Sequence, residues 1–210
     1  MPENEKKRRA LLAAYEGERM RLARLGAQTD KEGIFAAPVF GDGPLSPRLM
    51  LIGEAPGAEE VAARRAFVGK AGRQLDKLLA QSGICRADIY ITNAVKYRPV
   101  TVSEKSMRNR TPSSKEARDA LELLGTEIGI LRPAIIATLG NVPLGALLAL
   151  AGEKRRAIGE LHGQAVKLNV AGHETVLFPL YHPASVIYNR ALLPTCENDA
   201  RRLGKLISIA

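Results

Sequence analysis

"RLMLIGEAPG", residues 48–57, is an apolar run that stops on glycine, acid and a glycine-flanked proline. Residues 49–52 are consecutively apolar and read as a short strand. The glycines that end it point to backbone approaching another group closely, where a Cβ would obstruct.

Downstream the pattern alternates. Residues 72–82 ("GRQLDKLLAQS") read as a helix ended by Gly83, and residues 88–92 ("DIYIT") as a second strand. Residues 97–113 form a long basic loop with two prolines, in which Arg98, Lys105, Arg108 and Arg110 suit phosphate contact or a solvated surface. Ser113 or Ser114 can cap a helix that carries Glu116 and Glu122 and runs to Leu131, with Pro133 beyond it. Residues 134–139 ("AIIATL") are a third strand, followed by Gly140, Asn141 and a helix over 144–151. Residues 164–180 read as a hairpin turning at Ala171-Gly172-His173, and a last helix begins near Thr195 and carries Arg201 and Arg202. Upstream, residues 4–25 read as a charged helix with a stripe of Leu11, Leu12, Tyr15, Met20 and Leu22, stopped by Gly26. Residues 26–47 read as an irregular lead-in with at most one edge strand.

Strands separated by helical patterns argue for an α/β fold, a three-layer α/β/α arrangement around a mainly parallel sheet. A chain of 210 residues suits one compact unit, with residues 1–37 as N-terminal helix and lead-in and 38–210 as the α/β domain. In such sheets, sites lie beyond the carboxyl ends of the strands. Glu54, Asn93, Gly140 and His182 each follow an apolar run and so share one rim.

Bulk charge narrows the partners. Lys and Arg number 31 against 22 Asp and Glu, a net +9 with a pI near 9.8, which fits a polyanion such as nucleic acid or a solvated basic face. Cys85 and Cys196 are the two cysteines, in no metal-ligand spacing, and suit free thiols of a reducing compartment. No run reaches the length of a membrane span, and the N-terminal apolar stretch is too short for a signal core, so a soluble cytoplasmic monomer is expected.

Each rim group has two readings. Glu54 can hold a water or face a developing cation, but acids also cap turns, and alone it reads first as a cap. Asn93 can read a ligand edge bidentately or form an Asx turn. His182, stiffened by Pro183, is a core histidine or a site histidine. Phe67, in a glycine-punctuated basic loop, can stack on a base or anchor its own loop. Gly69-Lys70-Ala71-Gly72 resembles a weak phosphate cradle without the full Walker spacing, so nucleotide hydrolysis gains little support. Glu59 and Glu60 suit a solvated turn better than a catalytic dyad.

Taken together, "GEAPGAEE", "AFVGKAGRQLDKLL", "IYITNAVKYRP", "NRTPS", "LRPAIIATLG" and "YHPAS" resemble the uracil-DNA glycosylase superfamily, in particular its family-four branch, over residues 38–205. The resemblance implies a mainly parallel four-stranded sheet between helices and excision of uracil from DNA, the flipped nucleotide entering a pocket. It implies that Phe67 stacks on the base, that Asn93 accepts the N3 proton and donates to O4, and that Glu60 lies near C5. It implies that His182, with backbone amides of Ala55 and Gly57, stabilises charge on O2, and that Glu54 orients the water. Lys70, Arg108, Arg110 and Ser185 would meet DNA, and Arg190, after Tyr188 and Asn189, would wedge into the duplex.

The chain also departs from that family. The branch holds an iron–sulfur cluster on four cysteines, whereas here no cysteine precedes Cys85, Tyr97 stands at the third position and Ala120 at the fourth. No cluster or other cofactor is therefore expected. Arg65-Ala66 replaces a glycine and proline before Phe67. Asn109 stands where a related branch has a histidine that becomes attached to DNA, so no covalent trapping is expected. Two alternatives stay open: a glycosylase for hypoxanthine or xanthine, and a DNA-binding relative without turnover.

Overall fold

The computed structural model describes residues 2–29, 35, 37–103 and 106–209. Its strands are β1 (Leu49–Gly53), β2 (Tyr90–Asn93), β3 (Val100–Ser103), β4 (Ser106–Asn109), β5 (Ile135–Leu139), β6 (Val166–Val170) and β7 (His173–Leu180). The helices are α1 (Glu3–Thr29), α2 (Ala58–Ala63), α3 (Lys70–Gln81), α4 (Ser114–Asp119), α5 (Leu121–Leu131), α6 (Asn141–Leu150), α7 (Ile158–Leu161), α8 (Ser185–Tyr188) and α9 (Leu193–Ile209).

One sheet has the order β2-β1-β5-β7-β6, with β6 antiparallel to β7 and every other neighbour parallel. Side chains alternate across a strand, which explains why β1 is apolar throughout. Met50 and Ile52 face a core shared with Leu11 and Tyr15 of α1, Leu124 and Ile128 of α5 and Leu147 of α6. Leu49 and Leu51 face the other, with Leu75 and Leu79 of α3 and Leu203 of α9. Both faces are covered, as the α/β/α reading requires.

Several expectations change. The sheet has five strands, not four, because β6 of the 164–180 hairpin joins it as an antiparallel edge. The basic loop is itself a hairpin, in which β3 and β4 pair antiparallel and remain largely exposed; Lys105 lies outside the described residues. Helix α1 continues through Gly26 to Thr29. A glycine costs a helix about 1 kcal/mol, which weakens it without ending it. The helix expected after Ser113 divides at Ala120 into α4 and α5, and α9 starts at Leu193. No helix among the described residues is long and apolar enough to cross a membrane. Part of the 26–47 lead-in falls outside the described residues.

Candidate active site

Parallel pairing sets the rim. Gly53 lies opposite Asn93 in the β1–β2 register. Beyond it the Ala94 amide donates to the Gly53 carbonyl at 2.8 Å and the Val95 amide to the Glu54 carbonyl at 3.1 Å. On the other side the Gly140 amide donates to the Leu180 carbonyl at 2.8 Å, which brings His182 beside Gly140. A cavity of about 480 Å³ opens at this rim, with Phe67, Asn93 and His182 in its wall and Ala55, Gly57, Glu60 and Lys70 around it. A larger hollow of about 920 Å³ beside α1 shares none of these residues.

Gly53 answers why the strand ends on glycine. A Cβ there would collide with the Phe67 ring and with Asn93 Oδ1, so both groups lie over its bare backbone. Asn93 is 2% exposed, yet its side-chain amide makes no hydrogen bond among the described residues. The amide lines the cavity, so its donor and acceptor are left for whatever enters.

Phe67 is also buried, with its backbone in the left-handed region at φ 55°. That region costs a non-glycine residue about 1–3 kcal/mol, so the surroundings must impose it. Glu60 Oε1 accepts from the Val68 and Gly69 amides at 3.0 and 2.8 Å, and Arg86 donates to the Ala66 carbonyl at 2.8 Å. Gly72 lets α3 press against the Phe67 backbone, where a Cβ would overlap the carbonyl. The ring faces His182 with centroids 6.3 Å apart.

Glu60 therefore has work in the loop. Its second oxygen accepts from the Gly57 amide at 3.1 Å, which fastens the turn after β1 to the Phe67 loop. The Gly57 amide expected to face O2 is already bonded, whereas the Ala55 amide makes no hydrogen bond among the described residues.

His182 Nδ1 accepts a hydrogen bond from the Ala184 amide at 3.2 Å. An acceptor at Nδ1 assigns the proton of the neutral ring to Nε2. Burial holds the His182 pKa below the ordinary 6.5, so the neutral donor form prevails at neutral pH. Glu54, half-buried, has its pKa raised above 4.5 by burial, with a hydrogen bond from Thr111 acting the other way. Glu54 adjoins the cavity without lining it.

The expected DNA contacts separate. Lys70 lines the cavity at the start of α3, and Arg108 is exposed on β4. Arg110 is engaged internally: it holds Glu116 through two bonds of 2.6 and 2.8 Å and donates to the Val100 carbonyl at 3.1 Å. Ser185 opens α8, and Arg190 is exposed, but neither lines the cavity. Ile187 and Tyr188 do, Tyr188 being 89% exposed. Asn109 lines it too, its Oδ1 accepting from Arg98 Nε at 2.6 Å. The exposed pair Ile187 and Tyr188 at the cavity mouth is visible in the sequence as "IY" within "ASVIYNR".

Tyr97 and Ala120, where the resemblance places cluster cysteines, are buried with Leu22 and Val95. Phe35 meets the Tyr97 ring edge-on at 4.6 Å. Cys85 is exposed and Cys196 packs in a separate cluster with Leu78, Val186 and Ala200. The donor set does not fit an iron–sulfur cluster.

A family model described as the Uracil DNA glycosylase superfamily matches residues 40–204. The chain is 38% identical over 161 residues to a Type-4 uracil-DNA glycosylase of Pyrobaculum aerophilum, covering 77% of this chain and 79% of that protein. It is 35% identical to a protein of the same name from Saccharolobus solfataricus over 81% of this chain and 76% of the relative. A third of that name, from Thermotoga maritima, is 36% identical over 79% of this chain and 76% of its own length.

Proposed function

The chain belongs to the uracil DNA glycosylase superfamily, and we propose that it excises uracil from DNA by hydrolysing the N-glycosidic bond, leaving an abasic site for repair. The observation that carries this reading is the Asn93 side-chain amide, which lies in the cavity wall with Phe67 and His182 and makes no hydrogen bond among the described residues.

A base inside a duplex is out of reach, so the nucleotide must flip into the cavity. Phe67 stacks on it. Asn93 accepts the N3 proton of uracil and donates to O4, a pattern cytosine does not present. As the bond breaks, negative charge collects on uracil O2 and positive charge on the sugar. The Nε2–H of neutral His182 donates to O2, joined by the Ala55 amide; a preorganised donor of this kind is worth about 3–4 kcal/mol. Ionised Glu54 orients the attacking water and favours the cationic sugar. Lys70 and Arg108 meet phosphates, and Ile187 and Tyr188 press into the space that the base vacates. Glu60 acts through the loop it clasps. No Schiff-base step is involved: Lys70, the lysine at the cavity, serves a phosphate and not the sugar.

The proposal includes turnover without a cofactor. The packing of Leu22, Val95, Tyr97 and Ala120 supports it, because side chains without a thiolate fill the position of two cluster ligands. It also covers a monomer acting in the cytoplasm with DNA as partner; the net charge of +9 supports the last of these.

The test is direct. Oligonucleotides containing uracil, hypoxanthine or xanthine, single- and double-stranded, are incubated with the protein and cleaved by alkali at abasic sites. Breaks at uracil are expected. Breaks only at a purine would shift the substrate, and tight binding with no breaks would remove the activity.

A further inference from the structure

A buried cation lies directly behind the rim. Lys96 is 1% exposed, and its Nζ donates to the Asn93 carbonyl at 2.6 Å, to Thr92 Oγ1 at 2.7 Å and to Glu127 Oε2 at 2.6 Å. An ammonium has three protons, and all three are used. Glu127, fully buried on α5, takes a further bond from the Tyr15 hydroxyl of α1 at 2.7 Å, and Tyr15 meets the Tyr90 hydroxyl of β2. Burial beside Glu127 pushes the pKa of both tyrosines up, so both hydroxyls keep their protons.

Net stability is a weak reason for such a pair. Desolvating two charges costs about as much as their attraction returns, and an apolar pair of similar volume is often neutral or stabilising. What the pair does fix is geometry. Residues 93–96 leave β2 in a bend: the Lys96 ammonium reaches back to the Asn93 carbonyl, while the Ala94 and Val95 amides between them hold the Gly53 and Glu54 carbonyls. The same four residues carry Asn93 at one end and tether the Glu54 turn in the middle.

We propose that Lys96, held by Glu127 and Thr92, is a positioning residue that locks the Asn93 amide and the Glu54 carboxylate into one fixed relation, so that base recognition and water attack occur in the same pose. The proposal rests on the excision reading for its consequence, and on the hydrogen bonds alone for its geometry. Its effect belongs to the chemical step: displacing a reacting group by about 1 Å costs about 100-fold in rate, whereas phosphate contacts and DNA affinity are untouched.

The experiment compares wild type with the apolar double variant Lys96→Met/Glu127→Leu, and Thr92→Val with Thr92→Ser. Single-turnover excision of uracil, the DNA dissociation constant, the melting temperature and amide hydrogen exchange at Ala94 and Val95 are measured. The double variant should melt near the wild-type temperature and bind DNA equally. It should exchange faster at Ala94 and Val95 than wild type, with β5 unchanged, and excise uracil about 100-fold more slowly. Thr92→Val should slow excision and Thr92→Ser restore it, which decides the matter if the double variant does not fold. Wild-type rates in the double variant or in Thr92→Val, or unchanged exchange at Ala94 and Val95, overturn the proposal. If wild-type protein itself excises no uracil, the functional reading fails, and exchange alone decides the geometry.

Discussion

Gly53 and Asn93 stand opposite each other at the ends of β1 and β2, and the side chain that Gly53 lacks is the space into which the Asn93 amide oxygen projects. The group proposed to read the base is thus placed by what its neighbour omits. Gly53→Ala should therefore fold but force both Asn93 and Phe67 aside. A loss of about 100-fold in single-turnover excision is expected for such a displacement, with DNA affinity retained. A normal rate would mean that neither residue touches the base.

Glu54 gives the pH dependence a sign. Burial raises its pKa above 4.5, and the mechanism needs it ionised, so excision should fall as acid carries the pH down through that raised value. Glu54→Gln should lose most of the rate and this acid limb together. The same burial affects stability: below pH 4.5 the group is protonated folded or unfolded, and the cost of holding it ionised appears as pH rises past 4.5. Glu54→Gln should then melt higher than wild type at neutral pH, as measured by calorimetry. A lower melting temperature there contradicts the assignment.

His182 should matter in a different way. His182→Ala removes the Nε2–H donor while leaving the cavity, and a loss of about 100- to 1000-fold in rate is expected from removing one such donor. Binding of uracil-containing DNA should persist. Because burial lowers its pKa below 6.5, the donor remains neutral through neutral pH, and wild-type rates should show no limb near 6.5.

The exposed Tyr188 ring at the cavity mouth makes a prediction about DNA form. Filling the vacated stack offsets an unstacking cost of a few kcal/mol that a single strand does not impose. Tyr188→Ala should slow excision from duplex about 10-fold while barely changing the single-strand rate, and Arg190→Ala should change the ratio less. An equal loss on both substrates would reject the wedge role.

Beside Tyr97, Arg110 and two bonds from Ser113 hold Glu116 down to about 2 from an ordinary 4.5. A depressed acid stabilises the fold above its unfolded pKa and loses that contribution as pH falls through the folded value. Acidifying from pH 4.5 toward 2 should lower the wild-type melting temperature, and Glu116→Gln should flatten this dependence. Tyr97→Ala, emptying a buried aromatic site among Leu22, Val95 and Ala120, should cost about 3–5 kcal/mol.

What the sequence made legible follows from its periodicity. Residues 49–52, 89–91 and 134–137 are apolar on both faces, so strands, layers and the shared rim could all be placed. The hairpin of β3 and β4 could not, since its side chains are mostly exposed and carry no alternating pattern. Lys96 and Glu127 look like surface charges in the chain, and only the fold brings them together from 31 positions apart into a dry interior. Arg110 read as a phosphate contact for the same reason: sequence shows a charge, and not the Glu116 that already holds it. Glu60 was assigned to the base edge, whereas its oxygens are taken up by the amides of Gly57, Val68 and Gly69.

The measurement that bears most directly on the central claim is the identity of the released base. Wild-type protein, without added metal, is mixed in excess with a duplex carrying one uracil, and the free base is quantified by mass spectrometry alongside alkali-labile breaks. The account predicts one free uracil per abasic site, no release of thymine or cytosine from matched duplexes, and, at the time wild type just reaches completion, almost no product from His182→Ala. Abasic sites without free uracil, or an undiminished yield in the His182 variant, would contradict it.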